Sequence, residues 1–437
     1  MLTSNFRRIF RSLLVALTCA SGPLITPAVA LDFATLVQSV EPERAVRYEP
    51  FRHFQIKGVC GTTQLELAAT SGANTIRTYT PPTRRQLDDY QRLGLKVIVG
   101  IWMPHHGENK GDNGKWSYDY TKQGDKQVKD FADVLKRIGD HPAILMWCLG
   151  NEVHLDPPYL ATVNRMSLLL HEKYPRQLTS LTLVNAPKDK VALIKELAPD
   201  LDVIGYNSYG QGAVNGASRT LEEVWGRAYY VSEFGPQGPW SGRKAAWGVY
   251  YEQNYAAKVD DLRKSLAGID AAPRCLGSTM FLWGVWQKGK EFPTYFSAFL
   301  SPELGDKKVR EEKLYLTPIA DEFLRYWSGR YPEERAPVLT SISIAGTENN
   351  RDAIVPAGKN FKVTAVATDP STASRPLRYR WWMLDQNGKV VQGPHNSDHP
   401  TAEFKAPATP GEAYAMLVYA IAGERFASGF SLPFKVE

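Results

Sequence analysis

Between about residues 51 and 330, short apolar runs alternate with stretches whose apolar positions recur at helical spacing. That alternation is the pattern of a parallel sheet wrapped by helices. Eight runs read as strands, at residues 55–60, 75–79, 96–102, 144–149, 178–184, 203–206, 229–232 and 277–283. Helical patterns lie between them at residues 83–93, stopped by Gly94, and 127–138, stopped by Gly139, then at 158–174, 188–197 and 245–266. Gly after the last periodic residue is a helix stop, because it enters the left-handed region without a Cβ clash. Eight strand–helix units predict an α/β fold, a (β/α)8 TIM barrel.

A last helix is expected over 318–327, followed by a polar, proline-bearing linker from Tyr331 to Pro337. Beyond it the period changes. Alternating runs at 341–344, 361–367, 377–384, 413–421 and 430–436 are separated by Gly, Pro, Asp and Asn. About 100 residues of this kind predict a small all-β, immunoglobulin-like sandwich. Trp381 and Trp382 fall on opposite faces of their run, so one should enter the core and the other be exposed or meet the barrel. The expected organisation is a signal peptide at 1–30, a barrel at 31–336 and a sandwich at 337–437.

The first thirty residues carry Arg7, Arg8 and Arg11, an apolar run from Ser12, and small residues at Ala28-Val29-Ala30. These features predict export to the periplasm or medium, with a mature chain beginning at Leu31. Removing them takes away three positive charges and no negative one, so the net charge falls from +6 to +3. A balance that small gives no reason to expect a nucleic-acid partner. No later apolar stretch reaches the roughly 20 residues of a membrane span. Three cysteines then remain, Cys60, Cys148 and Cys275, without a CxxC pair; Cys60 and Cys148, in apolar strand-like runs, read as small buried hydrophobes. No GxSxG, Walker loop or HExxH occurs, and no metal or cofactor is expected. Gly210, Gly212 and Gly216 are spaced GxGxxxG and read as a flexible loop.

In such a barrel, side chains at the C-terminal ends of strands assemble the site. Two glutamates stand there: Glu152, after the fourth strand in Gly150-Asn151-Glu152, and Glu233, after the seventh in Ser232-Glu233-Phe234. They are 81 residues apart, close to three units of roughly 30 residues. Facing carboxylates suit glycoside cleavage, with one as proton donor and the other attacking the anomeric carbon. Arg77, at the end of the second strand, is the cation expected beside Glu233. Tyr209 is expected to bond the same carboxylate, with Tyr206 as reserve, and Asn151 to hold a sugar hydroxyl. Trp102, His105, His106 and Trp116, in the long loop after the third strand, are candidate sugar contacts, as are Trp240 and Trp286.

This order of Arg, Asn-Glu, Tyr, Glu and a strand-eight Trp resembles clan A of the glycoside hydrolases over the whole barrel. The resemblance implies a retaining enzyme, with Glu152 as acid/base, Glu233 as nucleophile and Trp283 as the floor of the subsite before the cleaved bond. The stretch Ala73-Asn74-Thr75-Ile76-Arg77-Thr78-Tyr79 is similar to β-glucan-active members. It points to a β-linked oligo- or polysaccharide as partner, with water or a second sugar as acceptor. Residues 367–381 resemble polycystic-kidney-disease-like and fibronectin-like modules. The rival from another class is a non-catalytic envelope protein that binds carbohydrate on a barrel scaffold.

Overall fold

The computed structural model describes residues 31–105, 118–286, 294–304, 309–348 and 351–437. The expected signal peptide, His106 and Trp116 lie outside them. Eight parallel strands close into a barrel: β1 (Ile56–Cys60), β2 (Thr75–Arg77), β3 (Lys96–Ile101), β4 (Ile144–Asn151), β5 (Leu178–Val184), β6 (Val203–Tyr209), β7 (Tyr229–Gly235) and β8 (Cys275–Met280). β1 pairs with β8 to complete the ring. All eight expected strands are present, because each is an apolar run covered on both sides and so reads clearly in the sequence.

Two expectations between the strands are overturned. The helix expected at 245–266 begins only at Tyr255, where Asn254 caps it by accepting from the Ala257 amide, and it runs to Asp270. Ahead of it Gly248 has φ +87° and Lys244 pairs with Tyr250, so residues 244–250 form a turn. The GxGxxxG run is not a loop either: Gln211–Thr220 is a helix, continued by a wider turn at Leu221–Trp225. Val214, Ala217 and Ser218 are its buried positions and Leu221 continues them, a helical period that the three glycines obscured.

The far end of the barrel is closed by helices Phe33–Gln38 and Pro42–Tyr48. Arg44 and Arg47 reach from the second of these to Asp202, which is fully buried.

The C-terminal region forms two sheets. One contains β11 (Val338–Ile344), β12 (Thr347–Glu348), β14 (Asn360–Thr368) and β17 (Thr401–Lys405). The other contains β13 (Ala353–Val355), β15 (Leu377–Asp385), β16 (Val390–Ser397), β18 (Ala413–Ala422) and β19 (Phe426–Val436). It continues into two short strands from earlier in the chain, β9 (Phe299–Leu300) and β10 (Tyr315–Leu316), with Leu316 paired to Phe426. One apolar core lies between the sheets and includes Ile342, Val363, Trp381, Val418 and Phe434. Trp382, on the opposite face, packs with Leu300 and Tyr315, so the paired tryptophans divide between two cores. β12, β13, β16 and β17 were not anticipated: the first two have only two and three residues, β16 is almost wholly exposed, and β17 buries only Ala402 and Phe404 in a five-residue alternation.

Candidate active site

The C-terminal ends of the barrel strands surround a cleft of about 610 Å³. Backbone irregularities aim the side chains at it. Strand β4 breaks register with β5 between Cys148 and Asn151, and Gly150 turns at φ +106°. A Cβ there would lie 2.4 Å from the Tyr159 hydroxyl, which donates to the Leu149 carbonyl at 2.7 Å, so only glycine fits. Glu152 itself sits at φ +56°, held by its amide's 2.9 Å bond to the Thr182 carbonyl. A non-glycine residue there costs about 1–2 kcal/mol, a strain typical of functional positions. Register shifts also occur between β6 and β7 at Tyr206/Asn207, and between β7 and β8 at Val231/Phe234. Such bulges at strand ends redirect side chains.

Three donors converge on Glu233. Arg77 Nη1 reaches Oε1 at 2.6 Å, the Tyr79 hydroxyl donates to the same oxygen at 2.7 Å, and the Tyr209 hydroxyl donates to Oε2 at 2.7 Å. Burial, the largest cause, and the Glu233 charge push both phenols well above their ordinary range, so both stay donors. Arg77 Nη2 donates to Asn151 Oδ1 at 2.6 Å. Asn207 Nδ2 bridges onward, to Asn151 Oδ1 at 3.1 Å and to Glu152 Oε1 at 2.7 Å. One polar chain thus links the two glutamates. Burial raises the Glu152 carboxyl above the ordinary range and the Glu233 charge adds to this, against the Asn207 hydrogen bond and Arg77.

Glu152, Glu233, Arg77, Asn151 and Tyr209 therefore come together as the sequence predicts. Tyr206 does not join them; its hydroxyl lies 2.7 Å from Ser218 Oγ, under the helix that follows β6. Trp240 lines the cleft, edge-on to Tyr209 at 5.5 Å and stacked on Phe296 at 5.8 Å. Trp286 lines it as well. Trp102 is 56% exposed and lies beyond the lining, with its ring 6.5 Å from that of His105. His105 is near enough to Glu152 for its charge to bear on that carboxyl.

Trp283 is displaced from its expected role. Its amide bonds the Cys60 carbonyl at 2.8 Å, and its ring packs on Phe299 and Trp327 in the layer outside the barrel. Fully buried there, it cannot floor a subsite. Phe281, directly after β8, faces the cleft instead, against Trp286 and Phe296. Tyr79 and Asn207 had no assigned role. Asn207 lies two residues before Tyr209 on β6, where period two puts both on one face, and Tyr79 lies two residues past the end of β2 at Arg77. Phe296 lies in a segment with no strand signal.

Cys60, Cys148 and Cys275 are free and buried. Among the described residues no group of three His, Cys, Asp or Glu could hold a metal ion, and no helix is long and apolar enough to cross a membrane.

No family model matches the chain. It is similar to a β-glucuronidase of Streptococcus agalactiae, 22% identical over 244 residues, which cover 50% of this chain and 39% of the relative. The match thus spans well under half of that relative. Among solved structures, β-glucuronidase 2 of Bacteroides uniformis superposes with TM-score 0.44 at 14% identity, covering 88% of this chain and 46% of that one. The β-glucuronidase of Ruminococcus gnavus gives TM-score 0.44 at 14% identity over 61% and 46%.

Proposed function

We propose that the chain is a retaining β-glycosidase or transglycosidase, with Glu233 as nucleophile and Glu152 as general acid/base. The observation that carries this is the division of labour between two linked carboxylates on one cleft. Glu233 accepts from three donors, while Glu152 is held toward its protonated form. A Glu233 oxygen attacks the anomeric carbon as the glycosidic C–O bond breaks, and the Glu152 proton passes to the departing oxygen. Glu152, now a carboxylate, takes a proton from water or an acceptor hydroxyl, whose oxygen displaces Glu233 and restores the starting configuration. Asn151 spends its side-chain oxygen on Arg77 and Asn207, leaving its amide nitrogen to offer a sugar 2-hydroxyl. Trp240, Phe281, Trp286 and Phe296 give the apolar walls on which a sugar ring stacks.

The sugar has two readings. The 73–79 stretch favours a β-glucan, and the similarity to a β-glucuronidase favours a β-glucuronide. Nitrophenyl β-glucoside, β-galactoside and β-glucuronide, assayed beside β-glucan oligosaccharides, separate them, and product chain lengths separate hydrolysis from transfer. Export directed by residues 1–30 belongs to the same proposal; N-terminal sequencing of the chain from periplasm or medium should begin at Leu31. The mechanism is tested with a 2-deoxy-2-fluoro β-glycoside bearing a good leaving group. Mass spectrometry should find the glycosyl adduct on the peptide containing Glu233; turnover of that reagent with no adduct, or an adduct elsewhere, overturns the assignment.

A further inference from the structure

The loop joining Glu233 to the next helix, residues 236–254, forms one wall of the cleft with Trp240 and Ser241. Its anchors lie on the C-terminal sheets. Ala245 and Tyr251 are buried with the core between those sheets, and Trp247 packs against it. Asp352 accepts from the Ala246 amide at 3.1 Å and from the Tyr251 hydroxyl at 2.5 Å, and Asn254 Nδ2 donates to the Thr340 carbonyl at 2.7 Å.

The other wall is tied to the same junction. Glu252 and Lys258 form an ion pair whose side chains are both fully buried. Glu252 Oε2 accepts from the Ser431 amide at 3.1 Å and its hydroxyl at 2.6 Å. Lys258 Nζ also donates to the Thr294 carbonyl at 2.9 Å, two residues before Phe296. A buried ion pair is poor at adding stability but strict about geometry, since each charge must keep its partners. Between the loop and β19 lies a cavity of about 360 Å³, bordered by Gln237, Arg243, Tyr251, Glu252 and Phe430. Apolar packing therefore holds the loop only at Ala245, Trp247 and Tyr251, and the polar anchors hold it beside the cavity.

We propose that the C-terminal sheets belong to the substrate-binding apparatus: through Asp352 and Ser431 they hold the walls carrying Trp240 and Phe296 against the catalytic centre, and Asp352 is a positioning residue for binding. The kinetic part rests on the glycosidase reading above. In the full chain, Asp352→Ala should raise KM for a turned-over β-glycoside about tenfold, with kcat within about twofold. Asp352→Asn should restore most of the loss, because its amide oxygen still accepts from Ala246. Ser431→Ala should move KM in the same direction by less, since the Ser431 amide keeps its bond to Glu252.

Hydrogen exchange followed by mass spectrometry supplies a readout that needs no activity. In Asp352→Ala, amides of 236–254 should exchange at least about tenfold faster while those of β4 do not change. Unchanged exchange in 236–254, or faster exchange in β4 as well, overturns the proposal. Faster loop exchange with unchanged KM overturns its link to binding. Should no glycoside be turned over, the glycosidase reading fails and the exchange result alone decides whether the sheets hold the wall.

Discussion

The barrel carries a buried arginine–carboxylate cluster at each end, and the two are built for opposite purposes. At the closed end, Asp202 accepts from Arg47 Nε at 2.8 Å, His171 Nε2 at 2.8 Å and the Thr179 amide at 2.9 Å, with the Thr179 hydroxyl and Arg44 behind them. Both oxygens are enclosed by protein. Burial opposes the charge, yet the His171 hydrogen bond and the Arg47 guanidinium outweigh it and hold the carboxyl below its ordinary range. At the open end, Arg77 grips Glu233 as tightly, but Glu233 faces a cleft shared with Glu152, whose carboxyl is shifted the other way. The residue types are nearly the same. A second carboxylate of opposite tendency, and space for a ligand, are what fit the open end for the proposed catalysis and the closed end for a clamp.

The largest effects should separate the two ends cleanly. Glu233→Gln should lower kcat/KM at least about 10⁴-fold. Its stability cost should be the smaller of the two, because Glu233 opens on the cleft and Arg77 keeps the Ser232 carbonyl, Asn151 and Tyr79 as partners. Asp202→Asn should do the reverse, removing about 3–5 kcal/mol of stability by leaving Arg47 without its buried counter-charge, with turnover per folded molecule unchanged. The lowered folded pKa sets the sign with pH. The wild-type clamp contributes fully above the unfolded value of 3.8 and loses its contribution as pH falls below it, and Asp202→Asn should lack that dependence. Urea titrations and active-site-titrated kinetics read both halves; equal losses of turnover in the two variants would sink the contrast.

A third buried carboxylate sharpens the rule. Asp321 accepts from the Ala336 amide at 2.7 Å through Oδ2, but its buried Oδ1 has no hydrogen-bond partner. Burial raises it to about 7, despite Ala336 and nearby Arg335 and Arg375. With the folded pKa above the unfolded value, stability from this group is intact below about pH 4 and is lost as pH rises toward 7. Asp321→Asn should therefore gain on the order of 3 kcal/mol relative to wild type between pH 4 and pH 8. An identical stability difference at both pH values would show that the unpartnered oxygen does not govern the shift.

How much of this was readable follows the same physics. The eight strands and the five clustered site residues were legible because apolar runs, and polar side chains at or just past their ends, are local signals. Trp283 misled because its indole packs on Phe299 and Trp327, partners from later in the chain that no local pattern records. Phe296 and the closed-end clamp were invisible for a related reason: Asp202 meets Arg44 and Arg47 across more than 150 residues, and no periodicity records such a meeting. Tyr79 was within reach, since it closes the run 75–79 read as the second strand, just past Arg77.

The smallest test uses two tyrosines three residues apart, between which the sequence left the choice open. The Tyr209 hydroxyl donates to Glu233, whereas that of Tyr206 meets Ser218 and the Val214 carbonyl in the helix behind the strand. A hydrogen bond to a charged group is worth about 1.5–3 kcal/mol and a neutral one about 1 kcal/mol. Tyr209→Phe should accordingly lower kcat/KM roughly 10- to 100-fold and leave the unfolding midpoint in place. Tyr206→Phe should lower stability by about 1 kcal/mol and leave kinetics in place. Each removes one oxygen atom, so a difference in kind between them reports which neighbours that oxygen had. If Tyr206→Phe slowed turnover and Tyr209→Phe did not, β6 would present its other face to the cleft, and the donor set around Glu233 would have to be rebuilt.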